Sequence, residues 1–187
     1  ANGRAKVEKL HPDVKILNFH YCVPPDTVAM NYHWNVVIGE NETGFRGKDD
    51  ILYRTEGWDF ILAGGALYNN LDYSFTPAHP DGTFLDYKSP GGGSPSLRQQ
   101  LAILKRFVEE LPFLKMAPDT DTVQGVDPKF TTTCLSKKGE VYAVYIHVPL
   151  PNKPKNLAEH LRKDTKVAIK MNLPKGQLEI RWLDTKT

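Results

Sequence analysis

Two patterns in this 187-residue sequence predict an α/β fold, and a third predicts a smaller antiparallel part behind it. Before Pro118, apolar strand-like segments alternate with helix-like segments, which is the order that a parallel sheet requires. Polar residues follow these strand-like segments, at the edge of a parallel sheet where binding sites usually lie. After Pro118, short strand-like segments are separated by turns, which favours an antiparallel sandwich. We therefore divide the chain into residues 1–118 and residues 119–187.

The second predicted strand, residues 35–42, carries two carboxylates at its end. Its apolar start, Val36-Val37-Ile38, leads directly to Glu40 and Glu42. Strict alternation along a strand puts both carboxylates on the face of Ile38. Two like charges on a buried face are costly unless they are paired or used. A solvated loop just past the strand is the alternative interpretation.

The other elements of the first part follow from similar signals. A first strand over residues 14–21 ends in His20-Tyr21 before two prolines, and a short helix over 27–32 follows Asp26. A helix over 51–63 begins after Asp49 or Asp50, and an alternating strand is predicted over 71–75. A long loop over 76–95 leads to a helix that Ser94 or Ser96 caps and that Pro112 ends.

The second part is predicted to be four short strands, over residues 131–135, 141–147, 166–171 and 178–182. Turn sequences such as Lys138-Gly139 separate them, and the spacing is typical of an antiparallel arrangement. Four strands are too few to complete two packed sheets, so we expect the sandwich to be incomplete.

Composition excludes several classes of function. A net charge of +2 without a basic stripe argues against nucleic-acid binding. No apolar run approaches the roughly 20 residues of a membrane span, and no signal peptide is recognisable. Cys22 and Cys134 lack a CxxC partner, and the histidines lack ligand spacing, so we predict neither a metal nor a cofactor. His79 and Asp81 suggest an ordinary turn more than a sugar-binding lip or a weak cation site.

Four segments of the first part together carry a family pattern: NFHY (18–21), GENETGF (39–45), YRTEGW (53–58) and AGGALYNNLDYSF (63–75). They resemble the carboxyl-terminal third of cellulase-like glycoside hydrolases of clan A, enzymes related to family five. The resemblance implies the last three βα units of a TIM-type (β/α)8 barrel, followed by a truncated β-sandwich accessory domain. It also implies an oligo- or polysaccharide substrate and an extracellular or periplasmic location.

The same resemblance implies roles for individual residues. Glu42-Thr43-Gly44 matches the clan's Glu-x-Gly at the end of the seventh strand, which makes Glu42 the expected nucleophile and Glu40 the competing choice. The remaining implied contacts lie at strand ends and would orient the nucleophile or bind the sugar: His20, Tyr21, Asp72 and Tyr73. Trp34 is a candidate stacking platform for a sugar ring, although packing against loops is its more ordinary role.

The family's acid/base, an Asn-Glu pair that ends the fourth strand, has no counterpart in this chain. Retaining glycosidases need two carboxyl groups about 5 Å apart. The resemblance therefore implies a fragment that supplies the nucleophile carboxylate but is inactive alone. A non-catalytic carbohydrate-binding or scaffold piece is the alternative. If the parallel sheet stays open, its edge and apolar face also predict self-association.

Overall fold

The computed structural model describes residues 9, 13, 16–20, 24–34, 36–43, 46–161 and 166–187. Its first sheet contains three parallel strands in the order β1 (Ile16–His20), β2 (Val37–Thr43) and β3 (Leu67–Asn70). Helix α1 (Pro25–Asn31) connects β1 to β2, and helix α2 (Asp50–Leu62) connects β2 to β3. The predicted parallel order of the first two strands and both predicted helices are therefore confirmed, but the third strand is Leu67–Asn70 and not the predicted residues 71–75.

The two faces of the parallel sheet differ in how far their side chains are buried. On the face toward α1 and α2, Ile38 packs with Val28 and Phe60 in a buried cluster. On the other face, Ile16 and Val37 are register partners that remain 57% and 46% exposed, and Leu67 beside Gly39 is 54% exposed. Parallel sheets are normally covered on both faces, so this sheet is open on one of them.

Helix α3 (Pro95–Glu109) has the start that its sequence predicts. The Ser94 side chain accepts a hydrogen bond from the Leu97 amide at 2.8 Å, and Pro95 occupies the first helical turn. Both features satisfy or remove amide donors that a helix leaves without partners at its beginning. Leu97 and Leu104 lie on the buried side of α3, which matches its apolar periodicity.

Beyond helix α3, the described residues form two small antiparallel sheets. One has the order β4 (Ala117–Pro118), β6 (Thr131–Lys137) and β7 (Val141–His147); the other pairs β5 (Val123–Val126) with β8 (Ile169–Met171). A single buried cluster joins Trp58 and Leu104 of the helices to Leu135 and Tyr145 of β6 and β7. The core thus extends across the predicted boundary at residues 118/119, and that boundary stays a prediction.

The predicted fold class is wrong. Instead of three barrel units followed by an incomplete sandwich, the described residues form a small mixed α/β structure, with three α-helices and sheets of three, three and two strands. Alternation of apolar residues determines local conformation, but it does not determine which strands pair or how many join one sheet. Two predicted strands are examples: residues 71–75 form no strand and contain a turn at residues 73 and 74, and residues 178–182 pair with no strand in the described part.

Among the described residues, no helix is both long and apolar enough to cross a membrane.

Candidate functional site

The carboxyl ends of the three parallel strands meet at one edge of the first sheet, which we call the carboxyl edge. There His20 of β1 is the register partner of Asn41, and Thr43 of β2 is the partner of Asn70 on β3. Glu42 lies between Asn41 and Thr43 in the central strand. The backbone therefore brings two of the predicted site residues, His20 and Glu42, to neighbouring strand ends.

Strand β2 is irregular where Glu42 lies. Its pairing with β3 steps from Glu40 opposite Tyr68 to Thr43 opposite Asn70, so three steps on β2 match two on β3. Such a bulge bends the strand and changes the direction of side chains, and bulges occur frequently beside active sites. The inference that Glu40 and Glu42 share a face assumed regular alternation, and this part of β2 does not provide it. The side chains of His20 and Glu42 and the whole of Tyr21 lie outside the described residues.

Beneath the sheet, four side chains form a cluster that we call the buried polar network: Arg46, Tyr53, Glu56 and Tyr68. Arg46 Nη1 lies 3.2 Å from Glu56 Oε2, and both side chains are at least nine-tenths buried. The same guanidinium donates to the carbonyl of Leu52 at 3.1 Å. The Tyr68 hydroxyl donates to the Tyr53 carbonyl at 2.9 Å and lies 3.3 Å from Glu56 Oε2. The network connects α2, β3 and the loop after β2.

Burial determines how the network's tyrosines titrate. Loss of solvent raises the pKa of Tyr68 well above its ordinary value, and the charges of Glu56 and Glu40 raise it further. Burial likewise raises the pKa of Tyr53 to about 12, although Arg46 lowers it in part. Tyr53 donates to the Gly47 carbonyl at 2.7 Å. Both hydroxyls therefore stay protonated at neutral pH and act as hydrogen-bond donors.

Glu40, the competing nucleophile, is completely buried. It lies two residues after Ile38 in β2, on the face of the sheet that packs against α1 and α2. Its register partner on β3 is Tyr68, and its charge contributes to the raised pKa of that tyrosine. A carboxylate without solvent contact is poorly placed to meet a polysaccharide. The position of Glu40 thus favours a structural role.

Asp72, a predicted sugar contact, is held by its own neighbours. Its carboxylate lies 2.7 Å from Arg98 Nη1 and accepts from the Ser74 hydroxyl at 2.5 Å and the Ser74 amide at 3.0 Å. Arg98 also donates to the Gly82 carbonyl at 2.8 Å. The Asp72–Arg98 pair therefore fixes the loop over residues 71–94 to helix α3. The turn at Ser74 also explains why no strand forms over residues 71–75.

The two predicted aromatic contacts lie in different places. The half-buried Tyr73 follows β3, with its ring 6.0 Å from that of Tyr87, and Lys48 Nζ lies 4.3 Å from the Tyr87 ring centre. Trp34 lies in a 3-10 helix (Tyr32–Trp34) at the amino-terminal side of β2, with its ring 4.7 Å from that of His33. The structure thus brings Tyr73 toward the carboxyl edge but leaves Trp34 at the opposite end of β2.

Sequence reasoning missed the buried polar network. Glu56 was visible only as part of the YRTEGW segment, and Arg46 looked like an ordinary loop residue. The signal that could have found the pair is a glutamate amid apolar helix positions, because a buried carboxylate requires a cation. Arg46, the arginine in the loop after β2, was the candidate for that cation.

Among the described residues, no group of three or more His, Cys, Asp or Glu side chains is arranged to hold a metal ion. Comparison of the chain with protein-family models, with curated proteins and with solved structures found no match. The resemblance to clan A glycoside hydrolases therefore stays a prediction that experiment must test.

Proposed function

We propose that this chain carries the nucleophile carboxylate, Glu42, of a retaining glycoside hydrolase site for a β-linked glycan. The observation that carries the proposal is the bulge in β2, which places Glu42 in an irregular strand end at the carboxyl edge. A β-bulge changes the direction in which side chains of the strand point, and bulges are common next to active sites. His20 on the neighbouring strand end and Tyr73 on the following loop are the proposed sugar contacts.

The proposed chemistry is a displacement at the anomeric carbon. A Glu42 oxygen forms an ester bond to that carbon while the bond to the leaving group breaks, and the leaving group departs with the electron pair. With a natural glycan the leaving oxygen needs a proton from a second carboxyl group, which we propose comes from outside this chain. With an activated leaving group such as dinitrophenolate, no proton donor is needed.

This difference gives a direct test on the 187-residue chain. Incubation with a dinitrophenyl 2-deoxy-2-fluoro-β-glycoside should add one glycosyl group, because the fluorine slows hydrolysis of the ester that forms. Intact-mass spectrometry measures the added mass. Glu42→Gln should abolish labelling, whereas Asp86→Asn, which changes an exposed carboxylate, should leave it unchanged. Failure of the wild-type chain to react with gluco-, manno- and galacto-configured reagents would overturn the proposal.

A second candidate function is glycan binding without cleavage. Asp72 favours it, because Arg98 and Ser74 already engage both of its carboxylate oxygens, so this carboxylate is not available to transfer a proton. Titration calorimetry with β-linked oligosaccharides distinguishes the two functions. Heat of binding with no covalent labelling supports the binding function, and labelling at Glu42 supports the catalytic one.

A further inference from the structure

Residues 177–184, which we call the exposed segment, come after the bend at Lys175 and Gly176 that follows β8, and no turn or bend interrupts the segment itself. Every residue in the segment is exposed, including four large apolar ones: Leu178 at 48%, Ile180 at 74%, Trp182 at 76% and Leu183 at 48%. From Leu178 to Trp182, apolar and charged residues alternate as they do in a β-strand. A strand-like segment with this much apolar surface in water is a template for pairing with another strand.

The charges of the exposed segment indicate which strand would fit. Glu179 and Arg181 are the charged residues on either side of Ile180, and their side chains lie 2.7 Å apart in the single chain. When two copies of the segment run antiparallel with Ile180 opposite Ile180, residue 179 of each copy faces residue 181 of the other. The same register puts Leu178 opposite Trp182. Every one of these cross-strand pairs is of a favourable type.

We propose that the exposed segment pairs with the same segment of a second copy, about a two-fold axis at Ile180. Each Glu179 then contacts the partner's Arg181, and each Trp182 packs on the partner's Leu178. A self-complementary patch of this kind generates a closed dimer and no larger assembly. The pairing also satisfies backbone donors and acceptors that otherwise depend on water. A two-stranded interface is small, so the dimer forms and dissociates with protein concentration.

The same segment could in principle add to the edge of an unrelated sheet, and the charge pattern distinguishes the two cases. An edge of another sequence has no reason to place an arginine opposite Glu179 and a glutamate opposite Arg181. Pairing with itself does so at both positions at once. A reversal of one charge and a reversal of both charges therefore have opposite consequences for the proposed dimer.

Sedimentation velocity of the full 187-residue chain over a concentration series tests the proposal. The wild type should show a monomer–dimer equilibrium, and Glu179→Arg should weaken it by about tenfold because like charges then face each other. Arg181→Glu should have a similar effect. The double variant E179R/R181E should restore the dimer. A wild-type chain that is monomeric at every concentration, or a double variant that is no better than the single ones, would overturn the proposal.

A cross-linking experiment tests the register independently. In a Cys22→Ser background, Ile180→Cys places the two new thiols opposite each other at the axis, so mild oxidation should yield a covalent dimer. Gln177→Cys is the matched control, since its thiol would face the partner's Leu183 and should cross-link little. Equal cross-linking at both positions would contradict the proposed register. Cys134 is buried, and burial raises the pKa of its thiol to about 12, which keeps it unreactive.

Discussion

The buried polar network and the carboxyl edge both involve the parallel sheet, but their charged residues are used differently. In the network, the Glu56 carboxylate meets the Arg46 guanidinium, and the Tyr68 hydroxyl lies close to the same carboxylate oxygen. At the edge, Glu42 lies in a bulged strand end between the neighbouring strands. The contrast separates carboxylates that hold the structure together from the one that we propose to react.

The comparison shows why a pair of glutamates in one strand need not be a catalytic pair. Glu40 and Glu42 are two residues apart, yet Glu40 is completely buried among the side chains that pack on α2. Its charge contributes to the raised pKa of Tyr68, its register partner on β3, and its side chain has no contact with solvent. Residues close in sequence can thus serve the core and a surface site separately.

The largest expected effect is the loss of the arginine from the network. Arg46→Ala leaves the Glu56 carboxylate buried without its cation, which should lower the free energy of unfolding by about 3–5 kcal/mol. Urea denaturation followed by tyrosine and tryptophan fluorescence measures the change. Lys88→Ala removes one partner of an exposed pair with Asp86 and should change stability by less than about 0.5 kcal/mol. Equal stabilities of the two variants would contradict a structural role for the network.

The pH dependence of stability tests a third carboxylate, that of Asp119. Burial raises the pKa of Asp119, but hydrogen bonds from Ser136 and Thr122 lower it more, to a net value of about 2. At pH values between about 4 and 2 the unfolded chain therefore binds more protons than the folded one at this residue. Stability from this group is present above about pH 4, and up to about 2 kcal/mol is lost as the pH falls to about 2.

Asp119→Asn tests that titration, because an amide cannot ionise. The variant should be less stable than the wild type at neutral pH, and the difference should shrink as the pH falls through this range. Urea denaturation at several pH values measures both free energies. A stability difference that does not depend on pH would show that Asp119 contributes by packing alone.

A smaller effect is expected where the ion pair is partly exposed. Arg98→Ala removes the Asp72 pair and the bond to the Gly82 carbonyl, which should cost about 1–2 kcal/mol, since the side chain is one-third exposed. Hydrogen exchange should quicken at the Phe84 amide, which donates to the Ser74 carbonyl at 3.2 Å. Lys105→Ala, in an exposed pair on α3, is the control and should leave this amide unchanged.

Local signals predicted the helices and the parallel order of the first two strands well. Helix α2 begins after Asp49 as expected, although the Asp49 side chain makes no capping hydrogen bond, and Ser94 caps α3 as expected. Strand formation was predicted less well, because a strand needs a partner that its own sequence does not name. Residues 178–182 alternate as a strand should, yet the described part of the chain offers them no partner strand.

The candidate site was predictable only at the level of strand ends. His20 and Glu42 fall on neighbouring strands as the sequence suggested, because parallel strands share one carboxyl edge. The bulge that separates Glu42 from Glu40 depends on the register with β3, which is a long-range property. The contacts of Arg46 depend on the same long-range packing, since its partner Glu56 comes from α2.

The most direct test of Glu42 as the reactive carboxylate is the position of the trapped sugar. Tandem mass spectrometry of the labelled wild-type chain after tryptic digestion examines the peptide of residues 16–46, which contains both glutamates of β2. Fragment ions that divide residue 40 from residue 42 locate the added glycosyl group. We expect the ester on Glu42. An ester on Glu40, or on a carboxylate outside this peptide, would contradict it.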